Sequence, residues 1–529
     1  MRRFAILVAI AACGTPDRGP RWQAAGATEP QRGGTLRIAI GGGIRTLDPT
    51  IAYDELTAYA LHHLVDTLVD YAPDGVALVP RLAERWDVSP DGLTYHFTLR
   101  AGPTFADGSP IVAADFVTAL ERVRTTAESP FPSFLEDVKA ITAPGERDLV
   151  IELSRPNAAF LYLLAMPFAG PQRASHNAAA GDEQRRRPLA SGPYELASWT
   201  EGEQLVLKRR TGYHDATRGF IDTIVLRENV PRDTQFLMFE RGELDVVERL
   251  AGPDYLWIVE QPAWAPHIRR RPLMNVFGSR MNVRKKPFDD RRVRQALNYA
   301  VNKDVTYKLL HGTTVPAHGM LAPGIPGRDD TLAPYPHDPA KARALLAEAG
   351  YPDGLDLEYV TVAEEETEKL AQAMQADLAE VGVRMRISIV SFATYLTQVP
   401  SRDGPPLSVT SWIADYPDAS NFFDARFHSR GIPLEAEGTG TNDSFYANPA
   451  VDTLLDTARA AQAPAERARL YQQVERILHE DAPWIWDYHR VAVEVVQPYV
   501  RDYDIHPVWI RDYTRAWLDL GPDGERDAR

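Results

Sequence analysis

The chain has 529 residues, which is too long for one hydrophobic core and predicts two or three domains. Hydrophobic residues make up 44% and charged residues 25%, the proportions of an ordinary soluble globular protein. The 73 acidic against 58 basic side chains give a formal net charge of −15. A nucleic-acid partner is therefore not expected, because phosphate binding needs a basic face.

The N-terminus carries the pattern of an export signal. Met1-Arg2-Arg3 is a basic start, Phe4 to Ala12 is an apolar run too short to span a bilayer, and small residues precede Cys13. This order resembles the bacterial lipoprotein signal, in which the cysteine is acylated. We expect residues 1–13 to be a signal peptide and Cys13 to hold the protein by lipid in the periplasm or cell envelope. The alternative is an incidental cysteine.

A flexible tether rich in Gly, Pro, Arg and Ala is predicted over residues 14–34. The fold then begins with a strand over Thr35 to Ile40, in which apolar residues alternate. Glycines occupy positions 41–43, just before Ile44, but no Gly-Lys-Ser/Thr follows, so they do not form a phosphate loop. A helix rich in Ala and Leu is predicted over Glu55 to Val69.

The stretch from Leu82 to Phe116 predicts a hairpin followed by a helix. Ser89-Pro90-Asp91-Gly92 forms a turn before a strand over Tyr95 to Arg100, and Asp115 is expected to cap the helix. Nothing in this stretch is catalytic.

The third quarter of the chain predicts parallel sheet and hence an α/β fold. A strand over Leu355 to Val360, a helix over Thr367 to Val381 and a strand over Val383 to Ile389 follow in β-α-β order. The sequence contains no Gly-x-Ser-x-Gly, Ser-x-x-Lys or His-Glu-x-x-His motif. An enzyme is therefore not expected.

The stretch from Leu407 to Phe423 predicts a strand that enters an aromatic loop with one carboxylate. Asp415 lies between Trp412 and Tyr416. In open α/β sheets, ligands bind at the carboxyl ends of strands. A carboxylate among aromatic rings suits a ligand ammonium, because the rings exclude water and the acid supplies the counter-charge. The alternative is that Asp415 caps a turn and the aromatic side chains belong to the core.

An ordered series of residues between positions 82 and 115 carries a family resemblance. It consists of Leu82-Ala83-Glu84, Trp86, Ser89, Asp91-Gly92-Leu93-Thr94-Tyr95, Phe97, Leu99-Arg100, Phe105, Asp107-Gly108 and Asp115. The series resembles the bacterial extracellular solute-binding proteins, family 5, of the oligopeptide and dipeptide ABC-transporter type. Similar matches occur at Ser191 to Tyr194, Met281 to Asn302 and Pro483 to Tyr488.

The resemblance implies a periplasmic-binding-protein-like fold of class II. Two α/β lobes with a hinge enclose a cleft, and an extra lobe is inserted in the first. On this chain, lobe I would comprise residues 35–76, 189–284 and 500–520, lobe II residues 77–188, and lobe III residues 285–499.

The resemblance also implies a function as the substrate-binding component of an ABC importer, which captures peptides in the cleft and delivers them to the permease. Asp415 would pair with the α-ammonium of the peptide, and Trp412 and Tyr416 would wall the cleft or belong to the core. Ile44 would offer backbone groups to an extended ligand, and Tyr488 would line the hinge side. No cofactor or metal is expected. The protein is expected to be a monomer that contacts the membrane only through its lipid.

One departure from the dipeptide-selective relatives occurs near residue 363. These relatives place an arginine there for the ligand carboxylate, whereas this chain has Ala363-Glu364-Glu365-Glu366. Acids are favourable in the first turn of a helix, but if they face the cleft they favour longer, cationic or non-peptide ligands. The alternative of the same fold binding a sugar, nickel, a metal chelate or another amine stays open. His62-His63 would be a poor chelate, because adjacent side chains on a helix point apart.

Overall fold

The structure is a computed structural model that describes residues 19–248, 250, 252–433, 440–521 and 527–528. The predicted signal peptide over residues 1–13, with the lipidation site Cys13, lies outside the described residues. Within the described part, no helix is long and apolar enough to cross a membrane. We keep the names lobe I, lobe II and lobe III for the ranges given above.

The stretch predicted as a tether contacts the folded part from Trp22 onward. Trp22–Gln23 pairs with Asp527–Ala528. The N–H of Ala25 donates to the carbonyl of Asp519 at 3.1 Å. From Trp22 onward the predicted tether therefore packs on the fold, and its residues 14–18 lie outside the described residues.

The sheet of lobe I has four strands, in the order Thr35–Ala39, Thr223–Arg227, Gln204–Arg209 and Tyr194–Thr200. The first pair is parallel and the other two are antiparallel. The helix Glu55–Leu64 packs against it. This helix ends before the predicted Val69, which instead begins the strand Val69–Tyr71. Val65, Thr67 and Val69 are β-branched, which favours extended backbone.

Lobe II contains an antiparallel sheet of Ala83–Val88, Thr94–Leu99, Asp148–Leu153 and Val138–Thr142. The helix Ala113–Thr125 covers it with Phe116, Ala119, Leu120 and Val123, all fully buried. Asp115 was expected at the cap but lies in the first turn, where its carboxylate accepts the N–H of Val112 at 2.9 Å. The carboxylate thus satisfies a donor before the helix rather than one within it.

The largest sheet follows the order Val246–Glu248, Trp484–Val496, Asn275–Met281, Leu407–Ile413, Leu355–Val362 and Val383–Val390. The last two strands are parallel neighbours in the sheet. The helix Glu365–Glu380 connects them along the chain, as the β-α-β pattern predicts. Ile268–Pro272 and Thr314–Pro316 also pair with Trp484–Val496.

The strand Trp484–Val496 of lobe III pairs along its length with strands of lobe I. Its first residues pair with Asn275–Met281, and its last residues pair with Val246–Glu248 and Ile268–Pro272. The predicted boundary at residue 499 follows the end of this strand, and the division into lobes stays a prediction.

The remaining elements complete the three lobes. Phe160–Leu163, Ala174–Ala180, Arg232–Glu240 and Gly252–Val259 are the other helices before residue 285. Later helices are Arg291–Ala300, Lys303–Leu309, Pro339–Glu348, Phe392–Gln398, Ala419–Phe427, Pro449–Ala460 and Pro464–Asp481. Short strand pairs are Val69–Tyr71 with Leu78–Pro80, Val500–Arg501 with Trp517–Leu518, and Ile505–His506 with Ile510–Arg511.

Candidate solute-binding cleft

A cavity of about 710 Å³ lies between lobe I and lobe III. Arg232, Tyr255 and Phe277 line it from lobe I, and Tyr488 lines it from lobe III. The strand Leu407–Ile413 ends at this cavity, because Ile413 and the following Ala414 are lining residues. The aromatic loop predicted from the sequence therefore lies at the edge of the cleft.

Asp415 is half-buried and bonded across the two lobes. The hydroxyl of Tyr53, in lobe I, donates to Asp415 Oδ1 at 2.6 Å. The amide of Asn421, in lobe III, donates to Oδ2 at 3.1 Å. Both donors are neutral, and among the described residues no Lys, Arg or His forms an ion pair with Asp415.

Asn421 organises the loop around this carboxylate. Its side-chain oxygen accepts the N–H of Asp415 at 3.2 Å and the indole N–H of Trp412 at 3.0 Å. The guanidinium of Arg426 covers the Trp412 ring at 5.4 Å from the ring centre. Asn421 itself is buried at 4% exposure. Trp412 is thus fixed beside the carboxylate and packs against the core of lobe III.

Tyr416 connects lobe III with lobe II rather than lining the cavity. Its ring packs edge-to-face on Phe134 of lobe II, with 6.2 Å between ring centres. Its hydroxyl lies 3.4 Å from Ser420 Oγ. Phe131, beside Phe134, also packs edge-to-face on Tyr53 at 5.4 Å. Asp415 therefore lies where the three lobes meet.

Electrostatics make Asp415 receptive to a cation. Burial raises the pKa of Asp415, and the hydrogen bonds from Tyr53 and Asn421 lower it in part. A carboxylate that is costly to ionise gains most from a positive partner that replaces the lost water.

Tyr488 lines the cavity as part of an aromatic and ionic cluster. Its ring stacks on Phe277 at 5.0 Å with an angle of 2° between the planes. The guanidinium of Arg490 lies over both rings and pairs with Glu366. Tyr488 lies in the strand Trp484–Val496, and its role on the hinge side stays a prediction.

Ile44 does not lie at the cleft. Its side chain is 2% exposed in the core of lobe I. Its N–H donates to the carboxylate of Glu228 at 3.1 Å. The N–H of Ile44 is therefore already bonded to a carboxylate in this conformation, and the expectation that Ile44 offers backbone groups to an extended ligand stays a prediction.

Glu364, Glu365 and Glu366 all line the cavity. Glu365 pairs with Lys369 at 2.6 Å, and Glu366 pairs with Arg490. The acidic first turn is thus both a favourable helix start and part of the cleft wall.

Sequence reasoning missed Tyr53, Asn421 and Arg490. Asn421 lies six residues after Asp415, and its side chain could have been proposed as a turn partner. Tyr53 lies 362 positions before Asp415, and no local pattern announces a contact that depends on how two lobes meet.

Comparisons with known proteins identify the same family that the sequence resembles. The family model "Bacterial extracellular solute-binding proteins, family 5 Middle" matches residues 77–433. The glutathione-binding protein GsiB of Salmonella typhimurium is 30% identical over 464 residues, covering 85% of this chain and 87% of its own. The dipeptide-binding protein of Escherichia coli K12 is 29% identical over 479 residues, covering 84% and 87%.

The fold is shared with solved binding proteins. The periplasmic binding protein DppA from Helicobacter pylori, in complex with the peptide STSA, is 26% identical with a TM-score of 0.77. The match covers 93% of this chain and 99% of DppA. The predicted class II fold of several α/β lobes is thereby confirmed. With the family match extending over more than half of its length, this chain belongs to the bacterial extracellular solute-binding proteins, family 5.

Proposed function

We propose that this chain is the substrate-binding component of an ABC importer, which captures peptides in the cleft between lobes I and III and hands them to a permease. Family membership supports this, together with relatives named for glutathione and dipeptides and a structural neighbour bound to a peptide. The observation that carries the proposal is the arrangement around Asp415.

The carboxylate of Asp415 is held in place by hydrogen bonds but has no positively charged partner among the described residues. Both oxygens are held by neutral donors, so the carboxylate is oriented but not neutralised. An α-ammonium has three donors and a full positive charge, and charge-assisted hydrogen bonds are about twice as strong as neutral ones. The free amino end of a peptide is the ligand group that fits this carboxylate.

The rest of the cleft suits a chain of variable side chains. The stacked Phe277 and Tyr488 offer an apolar surface, whereas the glutamates of the helix Glu365–Glu380 offer charge. Binding proteins need only sequester their solute, so closure of the lobes uses binding energy without chemistry. We propose binding and release without turnover, and without a cofactor or metal.

Export and lipid attachment are part of the same proposal. The N-terminal sequence favours cleavage before Cys13, acylation of its thiol and amine, and retention of a monomer at the membrane surface in the periplasm or cell envelope. Mass spectrometry of the mature N-terminal peptide tests this directly. A diacylated or triacylated Cys13 is expected, and an unmodified or internal start would exclude the anchor.

Native mass spectrometry of the purified protein tests the peptide proposal, with the released ligand analysed after denaturation. A spread of peptide masses is expected, and Asp415→Ala should emerge largely empty. Asp356→Ala is a matched control, because Asp356 is exposed and pairs only with Arg384 among the described residues. A single non-peptide mass, or a metal, would preserve the family and overturn the peptide assignment.

A further inference from the structure

A second carboxylate lines the cleft and belongs to the strand Trp484–Val496. Asp487 lines the cavity beside Tyr488. Its Oδ2 accepts the hydroxyl of Thr306 at 3.2 Å. Its Oδ1 is buried and has no hydrogen-bond partner among the described residues. A buried oxygen of this kind is costly unless a ligand or water satisfies it.

The groups that face Asp487 come from two helices. Lys303 begins the helix Lys303–Leu309, and its Nζ is also buried without a hydrogen-bond partner in the described chain. Asp377, from the helix Glu365–Glu380, accepts the N–H of Asn302 at 2.8 Å. Burial raises the pKa of Asp487 to about 6, while Lys303 and Thr306 lower it. Burial also lowers the pKa of Lys303 to about 8. Lys303 Nζ and Asp487 Oδ1 are therefore not hydrogen-bonded to each other, although their charges interact.

The described lining of the cavity is acidic overall. Seven carboxylates face four arginine or lysine side chains. The carboxylates are Glu55, Glu364, Glu365, Glu366, Asp377, Asp487 and Glu494, and the bases are Arg232, Lys369, Arg490 and Arg511. Three of the bases already pair with lining acids: Arg490 with Glu366, Lys369 with Glu365, and Arg511 with Glu494. The excess of carboxylates gives the cavity a negative electrostatic potential, which favours a positively charged solute.

We infer that Asp487 is a second cation-binding group, so that the preferred solutes carry a side-chain amine or guanidine in addition to the α-ammonium held by Asp415. The inference rests on the proposed peptide-binding function and names its substrate class. A ligand cation beside Asp487 supplies donors to the unpartnered Oδ1 and offsets the acidic excess of the cleft.

Matched peptides isolate this role by calorimetry. Ala-Lys-Ala and Ala-norleucine-Ala have the same α-ammonium and nearly the same side-chain length, but only the first carries the second charge. The wild-type protein is expected to prefer Ala-Lys-Ala on the order of 10- to 100-fold, the range of a hydrogen-bonded charge. Asp487→Asn should abolish the preference and leave the affinity for Ala-norleucine-Ala within about threefold, whereas the control Asp356→Asn should retain the preference.

A second variant and a pH series test the role of Asp487 without relying on the folding of Asp487→Asn. Lys303→Met removes the charge that lowers the pKa of Asp487, so the pH below which the preference is lost should rise, which a merely structural role would not do. In the wild-type protein the preference should weaken as pH falls from 7.5 to 5, because Asp487, with its pKa of about 6, becomes protonated.

The outcomes separate the two proposals. Equal wild-type affinity for both peptides, weakened alike by Asp415→Asn, would retain the peptide function and overturn the role of Asp487. Binding of neither peptide would overturn both. A preference that survives Asp487→Asn would assign selectivity to another carboxylate of the cleft and also contradict the inference.

Discussion

The hydroxyl of Tyr53 donates to Asp415 Oδ1 at 2.6 Å, which joins a loop of lobe I to the carboxylate of lobe III. This bond joins the proposed ammonium site to lobe I in the arrangement that the structure shows. Tyr53 is 54% exposed, so its contribution to folding is small, and its effect should appear in binding.

Tyr53→Phe removes this hydroxyl and keeps the ring on Phe131. We expect peptide affinity to fall by roughly fivefold, about 1 kcal/mol, mainly through faster release, because the open form is less disfavoured. Stopped-flow fluorescence measures the dissociation rate. Tyr307→Phe is the control, since Tyr307 is similarly exposed at 49%. An unchanged or slower release in Tyr53→Phe would contradict a closing role.

Asn421→Ala removes the side chain that holds both Trp412 and Asp415. Three hydrogen bonds are lost from a buried position, so we expect a loss of about 1–3 kcal/mol in the free energy of unfolding. Peptide affinity should fall as well, because the carboxylate loses its orientation. Urea unfolding and calorimetry measure the two effects. Reduced stability with unchanged affinity would assign Asn421 to the turn alone.

Glu366→Gln tests whether its ion pair with Arg490 is structural. Both side chains are about one-third exposed, at 34% and 32%. Solvent screens such pairs, so the free energy of unfolding should change by less than about 1 kcal/mol. Thermal unfolding of the variant checks this. A loss several times larger would show that the pair supports the Phe277 and Tyr488 stack rather than only facing the solute.

Glu475 predicts a pH dependence of stability. It is buried at 2% exposure, and its carboxylate accepts the N–H groups of Leu321 and Asp329 at 3.0 and 2.8 Å. Burial raises the pKa of Glu475 to about 7, above its ordinary value of 4.5. The folded chain therefore binds more protons between pH 4.5 and 7, and this residue's contribution to stability falls as pH rises through that window.

The comparison with Glu475→Gln isolates this contribution. Burial lowers the pKa of His63 to about 4 and of His489 to about 3, so these residues act with the opposite sign as pH falls below 6.5. Urea midpoints of both proteins from pH 4.5 to 8 give the difference. The wild-type protein should lose stability relative to the variant as pH rises to 7. A constant difference would contradict a raised pKa.

The fold was largely predictable because its signals are local. Period-two alternation marked Thr35–Ala39, and the β-α-β order marked Leu355–Val362 with Val383–Val390. In the helix Arg291–Ala300, the buried Val293, Ala296, Leu297 and Ala300 lie at the spacing of one helix face. The length of the helix Glu55–Leu64 was overestimated, because residue composition alone did not locate the change to strand.

The site was less predictable because it depends on contacts between lobes. The chemistry of Asp415 was visible in its aromatic loop, but its partner Tyr53 was not. Ile44 was placed at the cleft from the glycines before it, yet Glu228 comes from another part of the chain to accept its N–H. Tyr416 was expected beside the ligand or in the core, and its contact is with Phe134 of lobe II.

The central claim is that Asp415 binds the α-ammonium of a peptide, and a double-mutant-style cycle measures it directly. Calorimetry compares Ala-Ala-Ala with N-acetyl-Ala-Ala-Ala on the wild-type protein and Asp415→Asn. The wild-type protein should bind the free peptide at least tenfold more tightly, and the variant should lose that difference. If acetylation weakens binding equally in both proteins, or in neither, Asp415 does not hold the ammonium and the account of the cleft is wrong.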